Sequence, residues 1–176
     1  MPTYNRDALL ELLEARAPKV HNAIEKNVTD PTSRERLLQF VEWLTANGAN
    51  PKYVKVKDQS PFWEMIVNDT DVYIVVNGED NIWIMIRISL SKEAQSMLQE
   101  NNLHDAVIES LQHCTRADGG TCHGCHLPPD VAGLDDVVFG KEVKNLCCGQ
   151  YLTFADSDDD EIEVIKKLIM LTGDKT

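Results

Sequence analysis

The sequence predicts an α+β fold, in which an antiparallel β-meander of about four to five strands packs with helices and is followed by a C-terminal cysteine-rich zinc-knuckle hairpin. Three observations predict it. Apolar residues at helical spacing fill the N-terminal segment, short alternating apolar runs fill the centre, and all five cysteines lie between Cys114 and Cys148. With 176 residues, of which 43% are hydrophobic, the chain can bury an ample core. We therefore expect a single domain over 1–176.

The segment 1–48 is predicted to be helical. Leucines recur at helical spacing over residues 5–16, and a second short helix is expected over 18–27. Asp30-Pro31 is a helix-start signal, because the aspartate caps the first turn and proline suits the first helical position. Apolar residues then recur at helical spacing up to Gly48, which favours a helix end. These helices are expected to be packing elements.

The segment 52–113 is predicted to be the β-meander followed by two helices. The strands are expected over residues 53–57, 62–67, 72–77 and 81–88, with Asn68-Asp69-Thr70 as one of the short polar separators. Separators this short connect antiparallel neighbours. The two helices are expected over about 92–101 and 103–113, with Ser91 capping the first. Residues 115–136 are rich in glycine and lack periodicity, so we expect a loop there.

The last strand of the meander presents two different faces. Isoleucines line one face, while Trp83, Met85 and Arg87 line the other, and we expect Trp63, Met65 and Tyr73 to join the second face. An aromatic face with one arginine is a candidate floor for a small apolar or anionic ligand. The predicted lining is Trp63, Met65, Tyr73, Trp83 and Arg87. The alternative is that helices cover both faces and that these side chains belong to the core, because aromatic residues in strands mostly serve packing.

The segment 114–155 carries the strongest chemical signal, a cysteine-rich metal-binding pattern. Cys122 and Cys125 have the two-residue gap that lets both sulfurs of one turn bind the same tetrahedral zinc ion. Cys147 or Cys148 supplies a third sulfur, but adjacent side chains on a strand point to opposite faces, so we expect only one of them to bind. The predicted zinc ligands are Cys114, Cys122, Cys125 and Cys147, with Cys148, His126 and His123 in reserve. A four-sulfur site has no open position for water and is therefore structural.

Two other interpretations of the same cysteines remain open. Cys122 to His126 match the C-x-x-C-H pattern of c-type haem attachment, in which the histidine ligates iron. That chemistry belongs to exported proteins, and the first seven residues lack a basic segment followed by an apolar run. A dithiol redox centre is the other interpretation, but Pro128-Pro129 disfavour the helix on which such centres depend. We favour zinc over both.

Charge and composition limit the cellular location and the classes of partner that we expect for this protein. The formal net charge of −12 repels phosphate backbones and anionic lipid, so we expect neither nucleic acid nor a membrane as a partner. The absence of a recognisable signal peptide predicts a cytoplasmic protein, where cysteines ligate metal rather than form disulfides. No catalytic motif stands out. The sequence therefore predicts a zinc-binding module for an unknown small molecule or protein, with a haem or redox protein as the alternative.

The C-terminal segment carries a resemblance. Residues 156–172 are predicted to form a helix capped by Ser157, ending in Ile165-Lys166-Lys167-Leu168-Ile169. This ending resembles that of YdhG-like small bacterial α+β domains of unknown function. The order of Cys122-x-x-Cys125, Phe139-Gly140-Lys141-Glu142-Val143, Cys147 and Tyr151-Leu152-Thr153-Phe154 looks like a cysteine-bearing branch of them. The resemblance covers residues 30–172 in outline and implies an α+β fold and a bound metal; it brings no catalytic residues.

Overall fold

The computed structural model describes residues 18–54, 62–76, 82–88, 90–111, 133–146 and 151–171. Over these residues the protein is α+β, with a five-stranded antiparallel sheet, a separate two-stranded hairpin and helices. The predicted fold class and the antiparallel sheet are confirmed. The helix predicted over 5–16 lies outside the described residues.

The described elements follow the predicted order. The helices are α1 (Pro18–Asn27), α2 (Pro31–Ala46), α3 (Lys92–Glu100), α4 (His104–Ser110) and α5 (Asp159–Leu171). The strands are β1 (Lys52–Val54), β2 (Phe62–Val67), β3 (Thr70–Val76), β4 (Ile82–Arg87), β5 (Leu134–Val138), β6 (Lys141–Leu146) and β7 (Tyr151–Ala155). Three boundaries are corrections. Strand β3 starts at Thr70 and not at residue 72, because Thr70 pairs with Val67. Helix α4 ends at Ser110, before the predicted end at about 113. Strand β5 starts at Leu134, so residues 134–136 are strand and not part of the predicted loop, because they pair with β6.

Helix caps follow the sequence signals in two of three cases. Asp30 caps α2 and Ser91 caps α3, since each side chain accepts a hydrogen bond from the backbone N–H three residues later, at 2.7 and 3.2 Å. The start of α5 differs from the prediction. There the Asp158 carboxylate accepts from the Glu161 N–H at 2.8 Å, so the cap is Asp158 and not Ser157.

The order of strands in the larger sheet is β1-β2-β3-β4-β7. The β2–β3 connection is the two-residue turn Asn68-Asp69, whose φ angles of 51° and 58° are those of a type I′ turn. Its short length pairs Val67 with Thr70 and thereby sets the register of both strands. At the other side of the sheet, the Asp156 N–H donates to the Ile82 carbonyl at 3.2 Å, which places the end of β7 beside the start of β4.

Two compact units divide the described residues. The first contains α1, α2, β1 to β3, β4 up to Ile86, and the chain from Phe154 onward, including α5. The second runs from Arg87 to Thr153 and contains α3, α4 and the β5–β6 hairpin. Strand β7 crosses the division at Thr153. The single domain over 1–176 stays a prediction.

The core of the first unit lies between one sheet face and the helices. Helix α1 contacts β3, and residues of α2 and α5 approach Ile82 and Ile84 of β4. The side chains most deeply buried here include Ile24, Leu38, Phe40, Leu44, Ile74 and Ile165. The side of the sheet that carries Ile74, Ile82 and Ile84 is called the inner face below, and the opposite side is called the outer face.

Candidate functional site

The predicted metal ligands and their reserves lie outside the described residues. Cys114, Cys122, Cys125, Cys147 and Cys148 all fall there, as do His123 and His126. Within the described ranges, no three His, Cys, Asp or Glu side chains group so as to hold a metal ion. The zinc ligands therefore stay a prediction, and the geometry that bears on them is that of the elements flanking the cysteines.

The β5–β6 hairpin connects the two cysteine-bearing stretches. The first stretch ends where β5 begins at Leu134, and Cys147 directly follows the last residue of β6, Leu146. Leu134 and Leu146 are paired across the two strands. Paired residues of antiparallel strands have Cα atoms about 4.5–5.5 Å apart. The hairpin therefore brings the end of one cysteine-bearing stretch next to the start of the other.

A β-bulge lies next to this open end of the hairpin. The pairing shifts by one residue between Leu134↔Leu146 and Asp136↔Val143, so β6 contains an extra residue. Asn145 has a φ of 57°, and its N–H donates to the Asp135 carboxylate at 3.1 Å. A bulge changes which face the following side chains occupy. Here it keeps Leu146 on the buried side, where it is 1% exposed.

The closed end of the same hairpin is anchored on α3 and α4. Its turn, Phe139-Gly140, has φ angles of 51° and 76°, again those of a type I′ turn. The Phe139 N–H donates to the Gln95 side-chain oxygen at 2.6 Å, and the Gln95 amide donates to the Leu90 carbonyl at 2.7 Å. The Phe139 ring also meets the His104 ring edge-to-face, with centroids 6.0 Å apart. Gln95 and His104 therefore hold the turn in a fixed position on α3 and α4.

The residues of the predicted ligand pocket do not share one sheet face. Trp63 pairs with Ile74, and Ile74 pairs with Ile84, so Trp63 lies on the inner face. Met65 follows by strand alternation and, like Trp63, is buried. The expectation that these two residues join the face of Trp83 is wrong. The reason is the two-residue turn after β2, since a shift of one residue moves every side chain to the opposite face.

The remaining predicted pocket residues do lie together on the outer face. Tyr73 pairs with Met85, and the alternation of β4 puts Trp83 and Arg87 on the same side. Phe62, which the sequence reasoning missed, joins them and meets the Tyr73 ring edge-to-face at 5.5 Å. Trp83 is 36% exposed, so this surface is partly open to solvent. It is a shallow aromatic face, and binding of a ligand there stays a prediction.

A small cleft lies among α2, β4 and the start of α5. The Arg36 guanidinium donates to the Asp159 carboxylate at 2.5 Å and to the Ser157 carbonyl at 3.0 Å, and Ile82 and Ile84 form the apolar wall. The cavity volume is ≈ 30 Å³. A cavity of this size holds about one or two water molecules. The cleft is therefore a packing feature that joins α2 to α5, and not a site for a substrate.

Comparison with known proteins found no family model, curated protein or solved structure that matches the chain. The resemblance to YdhG-like domains accordingly stays a prediction. Among the helices that the structure describes, none combines the length and the apolar character needed to cross a membrane.

Proposed function

We propose that the chain is a cytoplasmic zinc-binding module, in which a structural cysteine-rich site forms a zinc knuckle that presents a surface to a protein or small-molecule partner. The ligands are Cys114, Cys122, Cys125 and Cys147. The observation that carries the proposal is the pairing of Leu134 with Leu146. It supports convergence of sulfurs that are more than twenty positions apart in the sequence.

The pairing favours metal binding through entropy. Bringing distant ligands together in a flexible chain costs loop-closure entropy, which grows with the length of the loop. A hairpin that already holds the two stretches side by side removes most of that cost before the metal arrives. Helix α4 ends at Ser110, and the next residue, Leu111, is buried. Cys114 follows three positions later in the sequence. The first stretch is therefore also tethered at its start.

A structural role for the metal follows from the ligand set. Four thiolates complete the tetrahedral shell of zinc and leave no position for a reactive water. Partner binding is then the remaining role for the module, and the outer face with Tyr73, Trp83 and Arg87 is the candidate surface among the described residues. A haem or dithiol redox protein is the competing interpretation that the experiment must separate.

The first test is metal analysis of protein purified under reducing conditions, together with its visible spectrum. We expect about one zinc per chain, as one tetrahedral site requires, and no haem absorption. Replacement of zinc by cobalt should give the sulfur-to-cobalt charge-transfer bands of a thiolate site. A haem spectrum, or a metal-free protein whose thiol pair cycles between oxidised and reduced states, would overturn the proposal.

Single substitutions then test the ligand set. Cys125→Ser and Cys147→Ser should each abolish stoichiometric zinc binding, whereas Cys148→Ser should keep it. His21→Gln, in α1 and therefore in the other unit, is the control for a general effect of losing a metal-binding side chain. Equal zinc loss in the Cys147 and Cys148 variants would contradict the assignment of one ligand to this pair. Full zinc content in the Cys125 variant would reject the site itself.

A further inference from the structure

The turn of the β5–β6 hairpin depends on one side chain of α3. Gln95 accepts from the Phe139 N–H at 2.6 Å and donates to the Leu90 carbonyl at 2.7 Å, so a single amide joins the hairpin to the start of the helix. Gln95 is half-buried in this position. Both of its hydrogen-bonding functions are used, which fixes the orientation of the amide.

Besides Gln95, the hairpin is held by the ring contact between Phe139 and His104 and by two buried side chains. Among the hairpin residues whose side chains the structure describes, only Val138 and Leu146 are buried, while Val137 is 54% exposed. A two-stranded hairpin is marginally stable on its own in water. Its position therefore depends strongly on how its two ends are fastened, and Gln95 fastens the closed end.

The closed and open ends are joined by paired strands. From Val138 to Leu134 the chain rises about 3.4 Å per residue, or about 14 Å in all. Backbone pairing with β6 continues on both sides of the bulge, and the Asp135–Asn145 hydrogen bond lies at the bulge itself. A shift at the turn is consequently carried to the Leu134–Leu146 pair, where the two cysteine-bearing stretches attach.

We propose that Gln95 is a positioning residue for metal capture: by docking the Phe139 turn on α3, it holds the open end of the hairpin in the arrangement that the metal requires. This inference rests on the proposed zinc-binding function. Metal occupancy and turn docking then stabilise the same arrangement of the hairpin. Thermodynamic linkage makes the effect reciprocal, so that loss of either one weakens the other by the same factor.

Gln95 and Gln99 provide a matched comparison. Both lie on α3, one turn apart, but Gln99 is exposed. Gln95→Met keeps the length of the side chain, removes both hydrogen bonds and leaves the Phe139 N–H without its acceptor. Gln95→Glu keeps an acceptor for Phe139, but loses the donation to Leu90 and places a carboxylate oxygen against that carbonyl. Gln99→Met is the control for the change in helix propensity and for the loss of one polar side chain on α3.

The experiment measures the zinc dissociation constant of each full-length variant by competition with a chelator. Gln95→Met should weaken zinc binding roughly tenfold, within the range typical of coupled sites. Gln95→Glu should weaken zinc binding less than Gln95→Met does, because it keeps the acceptor for the Phe139 N–H, and Gln99→Met should bind zinc like the parent. If Gln95→Met binds zinc as tightly as Gln99→Met, the inference is overturned.

A second measurement covers the case in which Gln95→Met does not fold. In the parent protein, zinc should slow hydrogen exchange at the Phe139 amide by about tenfold relative to the metal-free form. An unchanged Phe139 exchange rate on zinc binding would overturn the coupling while leaving the zinc site itself intact. A parent protein that binds no zinc at all would overturn the proposed function and this inference together, and the two failures are thus distinguished.

Discussion

The side-chain amide of Asn68 donates to the main-chain carbonyl of Met170 at 2.9 Å, and also lies 3.3 Å from the carbonyl of Ile169. The β2–β3 turn thereby satisfies carbonyl groups at the C-terminus of α5, about a hundred residues further along the chain. The last carbonyls of a helix have no partner within the helix. Asn68 also adopts a φ of 51°, which asparagine tolerates better than most residues. One residue therefore serves both the turn and the helix end.

Replacing Asn68 by glycine separates these two roles. Glycine keeps the positive φ but removes the donor, so Asn68→Gly should lower the free energy of unfolding by about 1 kcal/mol. Asp69→Gly in the same turn is the control. It should leave stability unchanged or slightly higher, because Asn-Gly is a preferred type I′ pair. Urea unfolding followed by circular dichroism measures both, and equal losses for the two variants would contradict a capping role for Asn68.

The pKa of Glu161 should make stability depend on pH. Burial raises this pKa above its ordinary value of 4.5, and the charge of Asp158 adds to the rise. The buried Ser157 hydroxyl, which faces the carboxylate, lowers the pKa, but by less than burial raises it. A raised carboxyl pKa means that the folded state binds the proton more tightly than the unfolded state, so the free energy of unfolding falls as pH rises through this window.

Glu161→Gln should therefore raise the free energy of unfolding at pH 7, and this gain should vanish as the pH falls below about 4.5, where the parent carboxyl is protonated in both states. Asp160→Asn, at an exposed position in the same first turn, is the control. The Asp160 carboxylate interacts favourably with the positive end of the helix dipole. Asp160→Asn should therefore lower the free energy of unfolding by about 0.3–1 kcal/mol at pH 7. Unfolding curves from pH 3.5 to 8 test the pair. A gain for Glu161→Gln that stays constant with pH would contradict the assigned cause.

Trp63 and Trp83 should respond very differently to truncation. Trp63 is 4% exposed on the inner face, whereas Trp83 is 36% exposed on the outer face. Trp63→Ala should cost about 3–5 kcal/mol through the cavity that it leaves. Trp83→Ala should cost about 1–2 kcal/mol, because a smaller area returns to water. The measurement is the free energy of unfolding in urea, and similar costs for the two variants would contradict the assignment of the faces.

The same two tryptophans show where prediction from sequence stops. Periodicity located β2 with its observed bounds and identified the polar turn that follows it. It did not determine the phase of the pairing, since β2 carries apolar side chains on both faces, such as Trp63 and Ile66. A turn of three residues, Asn68 to Thr70, would have placed Trp63 with Tyr73. The observed turn has two residues, and the difference of one residue reverses the faces.

Helix starts were easier to predict from the sequence than the assembly of the proposed metal site. Asp30 and Ser91 act through local hydrogen bonds that depend on a few neighbouring residues. At α5, several candidates stand side by side in the sequence, and the structure uses Asp158 and not Ser157 as the cap. The proposed ligation by Cys122 and Cys147 depends on distant segments meeting. Spacing alone predicts the chemistry of such a site but not its assembly.

The extra residue at Asn145 makes the length of β6 a question of parity. Deleting Asn145 would restore regular pairing up to the end of the strand and leave Leu146 opposite Leu134, on the buried side. Deleting two residues there would turn the Leu146 side chain toward solvent, because successive residues of a regular strand alternate between the faces. Engineering of β6 should therefore count residues against the bulge, since one residue can be removed there without moving Leu146 to the other face and two cannot.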